Sequence, residues 1–208
     1  MGYGPRWAPS GLDGTELLVS EVAKRRDDVS FVDAPVSGTR EPARNGQLVI
    51  LASGPDEARV TVQPVFEALG QKVILLGQAG MGTRMKLILN TWLAFEIEAA
   101  AEVRGTAERL GVPYELLVDT VRGGPMASPL ALARMDKMQT EDDSLQFPLE
   151  WALKDLDLTA DAAGAGAIPV GHAIADRWRD LVGRGYGRLD VSAARMGLGA
   201  TSLKGRTS

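Results

Sequence analysis

From Met81 to Leu110 the chain runs without a proline through a stretch rich in Ala, Leu, Glu, Met and Arg, and it is then stopped by Gly111 and Pro113. Strong helix formers in an unbroken run predict one helix of about 30 residues, roughly 45 Å long. That helix divides the chain into two kinds of pattern. Before it lie three short apolar runs, "SFVDAPV", "QLVILAS" and "KVILLG", each bounded by Gly, Pro or Asp and rich in β-branched residues, which favours strands. Helical spacing from Thr15 to Arg26 (Leu17, Leu18, Val22, Ala23) precedes them, and "GPDEARVTVQPVFEALG" predicts a second helix starting at Pro55 with Asp56 and Glu57 in its first turn. This alternation is α/β, and strands of nearly continuous apolar character imply a sheet covered on both faces. After the long run, helical segments are predicted at Tyr114–Val121, Pro129–Met138, Leu149–Ala163, Val170–Val182 and Val191–Met196, an all-helical bundle. Residues 1–14 read as a loose lead-in, and Gly197–Ser208 is small and polar enough to fray.

With 208 residues, 45% of them hydrophobic, the chain can fill a core as one large domain or two small ones. The net charge is −4 and no basic block is present, so neither a nucleic-acid footprint nor a polybasic membrane patch is expected. No apolar run approaches the roughly 18 residues that span a bilayer, the opening "MGYGPRWAPS" lacks a signal-peptide core, and a cytoplasmic protein is expected. The absence of cysteine removes disulfides, thiol nucleophiles and thiolate metal sites. The single histidine, His172, cannot build the usual zinc constellations and reads as structural or surface. "GQAGMGTR" lacks the Gly-Lys-Ser/Thr ending of a phosphate loop.

Three places can carry chemistry. In "FVDAPVSGTR" a strand-like run at Phe31 and Val32 breaks into a turn offering one hydroxyl, Ser37, and the free N–H groups around Gly38 and Thr39; an ordinary β-turn has the same pattern. In "GMGTRMKLILN", Lys86 and Asn90 stand four apart on one helix face, where one group can transfer a proton and the other orient an oxygen. The positive end of the helix dipole disfavours an ammonium there by about 0.3–1 kcal/mol. A solvent-facing stripe would read the same, but neighbours Met85, Leu87, Ile88, Leu89, Trp92 and Leu93 imply a mostly covered helix. In "FPLEWALKDLDL", Lys154 shares a face with Glu150, Trp151 and Leu158 while Asp155 and Asp157 fall elsewhere, a pattern also met in ion-paired surface helices.

Taken in order, "DAPVSGT", "GMGTRMKLILN", "KDLDL" and "GRLDVSA" resemble the β-hydroxyacid dehydrogenase family, which includes 3-hydroxyisobutyrate dehydrogenases and tartronate semialdehyde reductases, from about Ser30 to Met196. The resemblance implies an α/β remnant of a Rossmann-type sheet (15–79), followed by an all-helical C-terminal domain for substrate and oligomerisation (80–197) with a long interdomain helix. A tail at 198–208 completes this division. It implies that Ser37, Gly38 and Thr39 hold a substrate carboxylate, that Lys86 is the catalytic acid and base, that Asn90 positions substrate, and that Lys154 lies against an NAD or NADP cofactor. The implied partners are a small carboxylate-bearing substrate and further copies of the chain, as a homodimer or homotetramer.

Two departures from the family pattern stand out. Thr39 occupies the place of a usual second glycine; were a left-handed backbone needed there, a β-branched residue would cost on the order of 1 kcal/mol or more. No Gly-x-Gly-x-x-Gly follows an N-terminal strand, so the half of the family's first domain that cradles the pyrophosphate falls outside this sequence and a truncated member is expected. A three-stranded sheet would then expose an edge and apolar faces, leaving the bundle as the stable part. Two other readings are a non-catalytic dimerising helical module and an imine reductase-like enzyme, the latter opposed by Lys86 where those relatives usually carry Asp or Tyr.

Overall fold

A computed structural model describes residues 11–26, 28–164 and 166–198. Most of the predicted lead-in (1–10) and the tail from 199 onward lie outside the described residues. Two compact units make up the chain: Met1–Leu89 with Asp161–Gly164, and Asn90–Ala160 with Ala165–Ser208.

In the first unit, helix α1 (Leu12–Arg25) leads to strand β1 (Val36–Ser37), the short helix α2 (Arg40–Arg44), strand β2 (Leu48–Ala52), helix α3 (Asp56–Leu69) and strand β3 (Gly70–Leu75). The sheet order is β1-β2-β3. β2 and β3 run parallel, from Leu48↔Gly70 to Ala52↔Leu75, with α3 as their crossover, whereas β1 pairs antiparallel with β2 through Val36↔Ile50 and Ser37↔Val49. Ile50, Ala52 and Phe66 form the buried core, backed by Val32, Ala34, Val62 and Val73.

Three expectations are corrected here. The first apolar run is not a continuous strand: Asp33 pairs with Ser53 in an isolated bridge, and the ladder resumes only at Val36. Pro35 between them accepts from Leu51 N at 2.9 Å but has no N–H to give back, so the ladder is interrupted there. Nor is the sheet covered on both faces, because Gln71, Lys72 and Leu75 of β3 are exposed, as are Val60 and Val65 on α3. The first helix starts at Leu12, three residues ahead of the predicted Thr15, with Asp13 favourably placed in its first turn.

Helix α4 (Met81–Arg109) is one unbroken rod of 29 residues, and the division into units falls on it between Leu89 and Asn90. The second unit continues with α5 (Tyr114–Val121), α6 (Pro129–Gln139), α7 (Leu149–Ala163), α8 (Pro169–Leu181) and a 3₁₀ turn at Val191–Arg195. Start signals match the boundaries: Ser128 caps α6 by accepting from Ala131 N at 3.2 Å, with Pro129 in the first turn. Small residues on α4 admit close neighbours. A side chain added at Gly105 would come within 2.6 Å of the Leu198 carbonyl oxygen, so only glycine lets the C-terminal segment lie there. The core of this unit is much the larger and is centred on Trp178, Ile97, Met138, Leu149, Leu156 and Leu181.

Asp190 of "GRLDVSA" organises one end of this unit. Fully buried, its carboxylate accepts from Arg134 (2.9 Å), the main-chain N–H groups of Gln146 (2.9 Å), Phe147 (3.1 Å) and Ser192 (3.1 Å), and the Ser192 hydroxyl (2.8 Å). Burial alone would raise its pKa, but these donors and the Arg134 charge outweigh it and hold the carboxyl below its ordinary value.

Candidate functional site

The predicted carboxylate turn begins at Ser37, the last residue of β1, where the side chain is half-buried. Gly38 follows at φ +140°, and a Cβ there would meet Leu48 Cδ2 at 2.8 Å and Pro42 Cβ at 3.2 Å. Both the backbone angle and the lack of space therefore demand glycine. Thr39 differs: it is the residue before α2, with φ −101° and ψ −168°, an extended conformation natural for a β-branched side chain. The strain considered for Thr39 is thus absent, since the left-handed requirement falls on Gly38 alone.

The "GMGT" segment starts α4, and its first-turn donors are accounted for. Met81 N and Arg84 N donate to the carbonyls of Gln78 (3.2 Å) and Gly80 (3.1 Å). Gly82 N donates to the Ser53 hydroxyl at 2.9 Å, and Thr83 N to Asp33 Oδ2 at 2.7 Å. Thr83 also donates its hydroxyl to Asp33 Oδ1 at 3.0 Å, and Ser53 donates toward Asp33 Oδ2 at 3.2 Å. This arrangement tests whether the junction glycines could cradle a dinucleotide. They do not fit a pyrophosphate, because the N-terminal donors that a phosphate would need are already taken by the Asp33 carboxylate, the Ser53 hydroxyl and main-chain carbonyls.

Lys86 is half-buried in the second turn of α4, and Thr83, Lys86 and Asn90 fall on one i, i+3, i+7 stripe of that helix. The expectation of a mostly covered helix is corrected on other faces: Ile88 is 59% and Trp92 66% exposed.

Within the second unit the structure brings Asn90 and Lys154 together through a residue that the sequence reading set aside. Asp155, expected to fall elsewhere, accepts from Asn90 Nδ2 at 2.5 Å on Oδ2 and from Lys154 Nζ at 2.5 Å on Oδ1. Asn90 and Asp155 are buried, while the Lys154 side chain remains about one-third exposed. Below them the Thr91 and Thr159 hydroxyls meet at 3.1 Å, and Thr159 also donates to the Asp155 carbonyl at 2.9 Å. With Nδ2 committed to Asp155, Asn90 keeps its Oδ1 as an acceptor, and the Lys154 ammonium keeps further protons for a ligand. The signal that could have found Asp155 is its place next to Lys154 with an apolar residue on either side of the pair, which leaves it a buried position. Ser37, Gly38, Thr39 and Lys86 belong to the first unit, Asn90 and Lys154 to the second. Among the described residues no cluster of three or more His, Asp or Glu could hold a metal ion, and His172 is a half-buried residue of α8.

Residues 13–77 match the model of the NAD binding domain of 6-phosphogluconate dehydrogenase, and residues 80–196 match the NAD-binding model of NADP-dependent 3-hydroxyisobutyrate dehydrogenase. The chain is 33% identical to glyoxylate/succinic semialdehyde reductase 1 of Arabidopsis thaliana over 86% of its own length and 62% of that protein. It is 30% identical to L-threonate dehydrogenase of Escherichia coli K12, covering 94% of itself and 69% of the relative. Among solved structures, the Mycobacterium tuberculosis 3-hydroxyisobutyrate dehydrogenase with L-serine superposes with a TM-score of 0.82 at 27% identity, over 91% of this chain and 67% of that one. The chain therefore spans about two thirds of the length of the relatives it matches.

Proposed function

The chain belongs to the β-hydroxyacid dehydrogenase family, and from that premise we propose that it takes part in NAD(P)-dependent oxidation of a small 3-hydroxy acid or reduction of the corresponding semialdehyde, with Lys86 as general acid and base. The observation that carries this reading is the α4 stripe of Thr83, Lys86 and Asn90, with Asn90 held in one orientation by Asp155.

In the proposal the Ser37–Gly38–Thr39 turn receives the substrate carboxylate through a hydroxyl and main-chain N–H groups, which bind an anion without a basic side chain. In the reductive direction the Lys86 ammonium gives its proton to the carbonyl oxygen as the carbon becomes tetrahedral; in the oxidative direction the neutral amine takes the hydroxyl proton. Asn90, held by Asp155, positions the substrate, and Lys154, steadied by Asp155, supports the nicotinamide side. NAD or NADP, when bound, supplies or accepts the hydride. Residues 15–79 then serve as the distal part of the dinucleotide-binding domain and 80–197 as the substrate and oligomerisation domain. A homodimer or homotetramer is supported by the large exposed side chains of the helical unit, Trp92 and Trp151 among them. Among the described residues no helix is long and apolar enough to cross a membrane.

The test is turnover of 3-hydroxyisobutyrate, L-threonate and succinic semialdehyde with NAD and NADP, for the chain and for Lys86→Ala. The expected outcome is activity on at least one of these acids that Lys86→Ala lowers by about 10²–10⁴-fold. Full activity in Lys86→Ala, or preference for a cyclic imine over every acid, overturns the assignment; a stable dimer with no calorimetric affinity for either dinucleotide would favour a non-catalytic module.

A further inference from the structure

We infer that Asp33 is a positioning residue, a latch that sets the rotation and height of α4 and so the direction in which Lys86 projects. The inference rests on the reading of Lys86 as the acid and base.

The geometry is unusually complete for a helix start. The Asp33 carboxylate is buried and uses both oxygens on α4: Oδ2 accepts from Thr83 N and Oδ1 from the Thr83 hydroxyl. Its main chain is tied to β2 by a reciprocal pair with Ser53, 2.9 Å from Asp33 N to Ser53 O and 2.7 Å from Ser53 N to Asp33 O. Ser53, fully buried, closes the triangle by accepting from Gly82 N and donating toward Asp33. One carboxylate therefore joins the end of β2, the start of α4 and the segment that continues four residues on into Ser37.

Close packing makes the latch specific. A Cβ on Gly82 would lie 2.3 Å from the Leu51 carbonyl oxygen, 2.9 Å from Pro35 Cδ and 3.0 Å from Asp33 Oδ2. The helix thus enters with its glycine pressed on β2 and its threonine on Asp33, and these two consecutive contacts leave no freedom to turn about the axis. Three residues after Thr83, Lys86 occupies the same stripe, so its bearing follows from theirs. A cap chosen only to satisfy donors could be Ser or Thr; a carboxylate using both oxygens on a single residue fixes direction as well.

The experiment compares Asp33→Ala, Asp33→Asn and Thr83→Val in the full chain, with Lys86→Ala as a check on the underlying reading. It has two readouts on folded protein: kcat and KM for the best acid, and the rate at which acetic anhydride modifies Lys86, measured by mass spectrometry against Lys72 and Lys137. Expected are a fall in kcat of about 10–100-fold in Asp33→Ala with KM little changed, partial recovery in Asp33→Asn, which keeps an acceptor for Thr83 N, and an intermediate loss in Thr83→Val. Lys86 modification should rise about fivefold in Asp33→Ala as the first turn opens, with the reference lysines unchanged. Wild-type kcat and Lys86 reactivity in folded Asp33→Ala overturn the inference, and if that variant does not fold, the same result in Asp33→Asn and Thr83→Val does so. Should Lys86→Ala stay active, the acid–base reading fails on its own, and Lys86 reactivity still decides whether Asp33 orients that side chain.

Discussion

Asn90 and Asp155, 65 residues apart in sequence, meet in a 2.5 Å hydrogen bond with both side chains buried, and the same carboxylate holds Lys154. Removing it strands a buried amide donor. Asp155→Ala is expected to cost about 1–3 kcal/mol, a fall in melting temperature of roughly 2–12 °C for a chain of this size, and to weaken activity beyond that loss because Asn90 is no longer held. Thermal melts paired with turnover per folded molecule measure the two effects separately.

Asp190 and Arg134 form an ion pair with side chains 0% and 5% exposed. Breaking such a pair from one side leaves a buried charge, so Asp190→Ala is expected to lose about 3–5 kcal/mol, read by chemical denaturation. The pH dependence has a definite sign. Because the folded carboxyl titrates below its unfolded value, its stabilisation is complete above about pH 4 and is lost as pH falls through the folded pKa. Melts from pH 7 down to pH 3 should therefore show Asp190→Asn less stable at neutrality but less sensitive to acid than the parent chain.

At the proposed carboxylate turn, two adjacent residues should respond to small changes by different amounts and for different reasons. Gly38→Ala meets Leu48 and Pro42 at a positive φ and is expected to destabilise by about 1–3 kcal/mol and disturb substrate binding. Thr39→Gly removes no required conformation and should cost about 0.5–1 kcal/mol through chain entropy alone. Denaturation midpoints and KM for the hydroxy acid distinguish them.

Gly82→Ala is expected to be more damaging than Gly77→Ala despite the positive φ of Gly77. The added methyl at Gly82 strikes a strand carbonyl at 2.3 Å, which is backbone and cannot swing aside, whereas nothing lies within 4 Å at Gly77. Comparing the two variants by melting temperature and by Lys86 modification tests the packing of the α4 entry.

The helical half was legible because its signals are local. Proline-free runs, Pro129 and Pro169 at helix starts, and Gly111 after the long helix act within a few residues, and all five later helical segments lie within about two residues of their predicted limits. Strands were read less well. Phe31 and Val32 have strand-like side chains, but pairing requires a partner and an unbroken row of donors, and Pro35 interrupts the row. The five-residue α2 carries too little periodicity to be recognised.

For the candidate site the division is similar. By itself the sequence determined which residue types stand on one stripe of α4, because helical periodicity is a property of spacing, and it determined the family through four motifs in order. Only the tertiary structure decided that Asp155 holds both Asn90 and Lys154, that Asp33 reaches Thr83 fifty residues on, and that Thr39 needs no glycine. Those are contacts between segments distant in the chain, or backbone angles imposed by such contacts, and no local rule of spacing encodes them.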